Sequence, residues 1–385
     1  MGFFMAISPE LLLAQSTHDI ALNQFATNLS KQTIPFLNDV AKYLRNQLNN
    51  EWADLLTDKK IRRLNLFKKN IDERLAEIHT RMDDLLLAEF QDLAIQEGTF
   101  AVSSVNQVLT DDFIMLPVED QKLWSAVTSN PLLINPKEGA IDFRDFMKDS
   151  TKNLRRQVGN IISFGYAEGL TLTEMIGSIV GTKKNKYKDG LVGGQSLNSV
   201  DAMVRTSINH IATQARLKVN QSNKRVTIGY RLIATLDSRT SNECKDHDQR
   251  VVLHADTYRP YPPFHRRCRT TPIDEIKDKA LKDSDATRAA NFKAQGDVKK
   301  GTVGQVPATT QYYDLLKQQS AAQQDLALGP ARGKIFRNAG LTIPEFRKAM
   351  VDQMNQPITL SEMAAKNKKI LEYMESNKLK RYLND

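Results

Sequence analysis

The stretch IRRLNLFKKNIDERLAEIHTRMDDLLLAEFQDLAIQE, residues 61–97, decides the architecture. Within it Ile61, Leu64, Phe67, Ile71, Leu75, Ile78, Met82 and Leu85 recur at spacings of three and four, and no glycine or proline occurs from Phe36 to Glu97. That period places the apolar side chains on one stripe of a long amphipathic helix with a coiled-coil-like seam. The stripe has to be covered. It either docks on a partner, as an elongated arm, or closes an internal hairpin with residues 9–34. Both readings predict a helical N-terminal region.

Working outward, Asn130-Pro131 and Asn135-Pro136 break the helical pattern, which resumes over about 143–168. Residues 181–195, GTKKNKYKDGLVGGQ, read as an exposed loop, and Asn198 to Asn220 as a helix. Residues 225–236, RVTIGYRLIATL, alternate like a half-buried strand and open a loop-rich region that runs to Ile273. Gln295 to Thr310 reads as a linker, and helical patterns then return, ending in the basic stretch Lys378 to Arg381. The expected fold class is α+β, predominantly α-helical. The expected divisions are an N-terminal helical arm (1–127), a compact α+β core domain (128–294), a linker (295–310) and a C-terminal helical region (311–385).

The 385 residues carry a net charge of +9, unevenly spread. Residues 1–100 hold 11 Lys and Arg against 14 Asp and Glu, or −3, so the remainder carries +12. A basic remainder favours an acidic partner such as DNA. Residues 1–9, MGFFMAISP, lack the basic start of a signal peptide, and no apolar run approaches the ~20 residues of a membrane span. The expected setting is a cytoplasm, or something assembled in one.

Both cysteines and three of the six histidines fall between Cys244 and Cys268. Cys244-x2-His247 is followed by 17 residues that include His254, and then by His265-x2-Cys268. Two such pairs form the knuckles of a tetrahedral zinc site, and four protein ligands would make that site structural. Reduced buried thiols without metal, and a disulfide, are the alternatives; the second is disfavoured in a reducing cytoplasm. His254 is the substitute ligand if one of the four points away. Pro262-Pro263 stiffens the approach to His265. Asp237 and Arg239 read as an Asx-type turn leaving the strand. Arg266, Arg267 and Arg269 would sit on the second knuckle, presented outward as candidate contacts to DNA phosphates.

Residues 235–241 (TLDSRTS), then Cys244 and Asp248, then residues 262–272 (PPFHRRCRTTP) resemble the core motif of the phage Mu F-like head morphogenesis proteins. Its motif core here would be Asp237, Arg239, Asp248, Pro263 and Arg269. Upstream, Arg205 to Asn209, Ala215-Arg216 and Gly169 to Leu172 with Ile179 are similar to the family's lead-in. Downstream, Ala327 to Arg332, Ile335 to Arg337 and Thr359 to Glu362 look like its tail. Many members have Trp near Tyr230, Gly where Gln249 stands and Glu where Ser207 stands, and some have a further Cys at the place of Thr270.

The resemblance implies a minor head protein of a tailed bacteriophage, in the virion at the portal vertex or head interior. It would be oligomeric there and would contact portal, capsid or scaffold proteins and packaged double-stranded DNA without sequence preference. An internal ejection protein, released with the DNA to form a conduit across the cell envelope, is the alternative. Neither reading involves a small-molecule substrate, and no enzyme is expected. The ADP-ribosyltransferases found fused to Mu F-like regions need Glu-x-Glu or Gln-x-Glu, which the chain lacks, as it lacks His-Glu-x-x-His and a phosphate-binding Gly-x4-Gly-Lys-Ser/Thr loop.

Overall fold

The computed structural model describes residues 8–58, 60–134, 139–281, 287–291, 303–307, 310–352, 357–377 and 379–383. The chain is an α+β protein in which helices predominate. Helices α1 (Pro9–Gln32), α2 (Ile34–Asp58), α3 (Ile61–Asn106), α4 (Asp120–Ser129), α5 (Phe143–Glu168), α6 (Leu172–Ile179) and α7 (Leu197–Ser222) come first. A sheet region follows, with β1 (Thr227–Ile233), β2 (Leu236–Asp237), α8 (Asn242–His247), β3 (Val251–Leu253), β4 (Thr271–Ile276), β5 (Thr287–Asn291) and β6 (Val303–Pro307). The C-terminal helices are α9 (Tyr312–Lys317), α10 (Ala321–Leu328), α11 (Pro330–Asn338), α12 (Ile343–Met350), α13 (Leu360–Lys366) and α14 (Lys368–Ser376).

The 46-residue α3 extends about 69 Å at 1.5 Å per residue. Its seam is buried from Leu64 to Val105 against α2, α4, α5 and α7, so the stripe is occupied within the chain. Two details depart from expectation. Ile61 is 69% exposed, and the seam steps from Met82 to the buried Leu86, leaving Leu85 half-buried. A straight helix turns every 3.6 residues, so a strict 3.5 register drifts off the buried face within a few turns. The helix also runs through Gly98. A Cβ there would collide with the side chain of Leu123, so this glycine lets α4 approach closely.

Local signals set several boundaries. Asp142 caps α5 by accepting from the backbone N–H groups of Arg144 (2.8 Å) and Asp145 (3.3 Å), and Gly169 ends it at φ 67°. Thr171 and Glu174, Thr342 and Glu345, and Thr359 and Glu362 form capping boxes on α6, α12 and α13.

A large apolar core joins α1–α3 to α5–α7, so the boundary drawn at 127/128 falls inside it. β1 is the centre of an antiparallel sheet ordered β3-β1-β4, with a bulge between Thr227 and Gly229. A second sheet, β2-β5-β6, pairs β2 with β5 in parallel and β5 with β6 antiparallel. Residues 303–307 of the expected linker are therefore a strand, and residues 295–302 and 308–309 lie outside the described residues, as do Asn135, Pro136 and Lys378. The C-terminal helices build their own core with Leu236 and Ala290. In the 181–195 segment, residues 182–189 are exposed as expected, but Leu191 and Val192 turn into the helical core on a π-helical turn.

Candidate functional site

Residues 205–216, 235–248 and 262–272, which carry the central part of the resemblance and the helix before it, meet at one place. Helix α7 supplies one wall. Thr206 Oγ1 accepts from the backbone N–H of Arg267 (2.9 Å), Asn209 donates to the carbonyl of Thr270 (3.0 Å), and Arg216 Nη1 donates to Thr271 Oγ1 (2.8 Å). Arg216 is also bound through Nε to Glu97 Oε2 (2.7 Å), and His18 Nε2 lies 2.6 Å from Glu97 Oε1. Burial would raise the Glu97 carboxyl, but Arg216 and His18 outweigh it and hold Glu97 below the usual range. This buried pair was not read from the sequence, although Glu97 stands on the extension of the α3 seam and Arg216 on the buried face of α7.

On the opposite wall Asp237 and Arg269 form a two-pronged ion pair, at 2.6 and 2.8 Å. Burial pushes the Asp237 carboxyl up, and the Arg269 guanidinium more than offsets it. The backbone N–H of Arg239 donates to Asp237 Oδ1 (3.0 Å), which is the expected Asx-type turn; the Arg239 guanidinium is exposed, 3.5 Å from Asp237. Asp248 joins two units, since Oδ1 accepts from the N–H of Ala234 and Oδ2 from the N–H of Tyr312, both at 2.9 Å. Tyr312 Oη donates to the carbonyl of Asp237 (2.9 Å), and the buried Lys245 donates to the carbonyl of Ala327 (2.6 Å). Gln249 sits at φ 63°, a conformation glycine adopts at lower cost.

Cys244, on α8, and Cys268 are buried in a small core with Tyr230, Leu232, Val252 and Phe264. Ser241 caps α8 by accepting from the Cys244 N–H (3.2 Å). Beyond the cis Pro262-Pro263 bond, residues 265–268 form a tight turn closed by the Cys268 N–H donating to the His265 carbonyl (3.1 Å), with Arg267 left-handed at φ 60°. The sulfurs of Cys244 and Cys268 are 3.6 Å apart, and Cys244 Sγ is 3.1 Å from His265 Nε2. Ligand atoms of Cys244, His265 and Cys268 all lie within 4.8 Å of one another.

These three residues can hold a metal ion. Two thiolates about 2.3 Å from a tetrahedral ion would be about 3.8 Å apart, close to the separation here. His265 Nδ1 is 2.9 Å from the Arg266 carbonyl, a bond that fixes the N–H on Nδ1 and leaves the Nε2 lone pair facing the sulfurs. Without an ion, burial alone would raise the Cys268 thiol, but the Cys244 thiol and a protonated His265 outweigh it and draw it well below its ordinary value. Burial would lower His265 and the Cys268 sulfur raises it; an ion would take the place of the Nε2 proton. Cys244 is correspondingly pushed up, first by its hydrogen bond to Cys268 and then by burial. Both cysteines are free, and the S···S gap is far beyond the ~2.05 Å of a disulfide.

The expected four-residue set is corrected in two places. His247 does not join the group; its ring stacks on Phe264, with centroids 4.2 Å apart, because α8 ends there and turns it into the apolar core. His254 does not replace it, being held by Thr227 Oγ1 at 3.0 Å on the far end of the sheet. Three protein ligands leave one coordination position for a non-protein ligand, so the closed four-ligand shell does not apply.

The outward placement expected of the three arginines holds for Arg266 and Arg267 and is corrected for Arg269. Arg266 and Arg267 are exposed, but each has an acidic neighbour, Asp149 at 3.3 Å and Asp201 at 2.9 Å respectively, and Arg269 turns inward to Asp237. Together with Arg205, Arg239 and His265 they line an open cleft of about 770 Å³.

Fold and site thus define a predominantly helical α+β protein with a metal-competent thiol and imidazole group beside an arginine-lined cleft. Among the described residues, no helix is long and apolar enough to cross a membrane. Comparison with protein-family models, curated proteins and solved structures finds no match.

Proposed function

We propose that the chain is a minor head protein of a tailed bacteriophage, resembling the phage Mu F-like family, that acts at the portal vertex by binding and not by catalysis. The observation that supports this reading is the convergence of residues 205–216, 235–248 and 262–272, which carry the central part of the resemblance and the helix before it, on one site. In this reading Asp237, Arg269 and Asp248 hold the motif together, and a Zn²⁺ ion bound by Cys244, His265 and Cys268, with a non-protein fourth ligand, fastens α8 to the 265–268 turn. The partners are portal, capsid or scaffold protein and packaged duplex DNA, and the protein works as an oligomer in the particle.

The test is assembly. The protein should co-purify with particles and be lost from assemblies made without portal protein. Retention in portal-free heads, or robust NAD- or nucleotide-dependent turnover by the purified chain, would overturn the proposal. Particles emptied of DNA separate the two virion roles, because a head component stays behind and an ejection protein leaves.

A further inference from the structure

Residues 182–189, TKKNKYKD, form an exposed loop between α6 and the π-helical turn Leu191–Ser196. Lys183, Lys184, Lys186 and Lys188 make no ion pair among the described residues, in contrast to Arg266, Arg267 and Arg269. The loop's one acid is turned to another task. Asp189 Oδ1 accepts from the N–H of Thr182 (2.7 Å), and Oδ2 accepts from Thr182 Oγ1 (2.6 Å) and Asn185 Nδ2 (2.7 Å). The carboxylate thus binds the loop into a fixed shape.

That shape has further supports. Lys186 and Tyr187 are left-handed, at φ 53° and 61°. A Cβ at Gly193 or Gly194 would strike the carbonyl of Tyr187 or Lys188, so these glycines let the turn beneath press against the loop. Arg45, from α2, lies 5.5 Å from the centre of the half-exposed Tyr187 ring and adds a fifth cation. Four unpaired lysines are therefore held on a stiff base. Like charges repel, and folding gains nothing from gathering them here, so the arrangement fits an external polyanion.

We propose that loop 182–189 is a contact surface for the phosphate backbone of double-stranded DNA. Duplex DNA carries a charge about every 1.7 Å along its axis, and lysines recognise it as point charges without reading bases. A membrane surface fits less well, because such anchors add apolar side chains, and the only large apolar group here is Tyr187, beside Arg45. The identity of the polyanion as packaged DNA rests on the head-protein reading; the phosphate-binding surface does not.

The test uses the full chain and a labelled mixed-sequence duplex of about 20 base pairs at about 50 to 200 mM salt. The variant Lys183→Gln/Lys184→Gln/Lys186→Gln/Lys188→Gln should bind at least about tenfold more weakly, and its log affinity should fall less steeply with log salt, by roughly 3 to 4 in slope if all four lysines meet phosphates. A melting curve matching the wild type excludes unfolding as the cause. Arg266→Gln/Arg267→Gln is the comparison. Loss of binding there but not in the lysine variant would overturn the proposal, as would wild-type protein that binds no DNA at about 50 mM salt or binds only anionic vesicles. If the lysines govern DNA binding but the protein is absent from particles, the head-protein reading fails and this site stands. A particle protein whose lysine variant binds DNA like the wild type has the opposite consequence.

Discussion

At the scale of single residues, the metal-competent group divides the histidines by what each ring touches. His265 faces two sulfurs, His247 faces the Phe264 ring, and His254 faces a threonine hydroxyl. Reduced protein loaded with zinc and dialysed should retain about one ion per chain, if the group holds zinc. Cys244→Ala and Cys268→Ala should abolish retention and destabilise the 244–268 region, because binding and folding are coupled. His247→Phe keeps the stacking and should keep the metal. Elemental analysis decides this, and equal losses in His247→Phe and Cys244→Ala would contradict the assignment. The sequence showed that these residues cluster, since ligand spacing is written along the chain. It did not show which histidine turns inward, because that depends on where α8 stops and on the turn at 265–268, neither of which leaves a spacing signal.

At the scale of elements, the helices were legible because their caps and period are local. α5 begins and ends where Asp142 and Gly169 place it, and α7 matches its apolar pattern within two residues. The second sheet was not legible. β2 has only two residues and gains its partner from β5, about 50 positions later, so its pairing is set by tertiary contact alone. Gly98 shows the limit of reading glycine as a breaker, since α3 passes through it to reach α4. Gly98→Ala should gain up to about 1 kcal/mol of helix propensity and lose about 1 to 3 kcal/mol to overpacking, for a net loss. In a Leu123→Ala background the same change should be neutral or stabilising. Urea midpoints of the two pairs test this, and a single Gly98→Ala variant more stable than the wild type would contradict the close-approach argument.

At the scale of the whole molecule, the helical core buries two uncharged histidines. His79 and His210 are 3% and 0% exposed, and burial, the leading cause in each, lowers both to about 4. Both folded values lie below the unfolded 6.5, so between pH 6.5 and about 4 the unfolded chain takes up protons that the folded chain does not. Their contribution is fully present above pH 6.5 and is lost as pH falls through that window, to a limit of about 3 kcal/mol each. His79, whose ring nitrogens have no hydrogen-bond partner among the described residues, can be replaced without breaking a hydrogen bond seen there. His79→Leu should therefore lose about 2 kcal/mol less stability than the wild type between pH 7 and pH 5, measured by urea unfolding. Equal losses would show that this ring is not held neutral.

The proposal for the whole chain is that it serves at the portal vertex of a tailed phage head. The most direct measurement is a reconstruction of intact particles carrying a tagged copy of this protein. The account predicts tag density at the portal vertex or just inside the head, in contact with DNA or portal. Density confined to the tail or the outer capsid surface, or particles that never contain the protein, would contradict it.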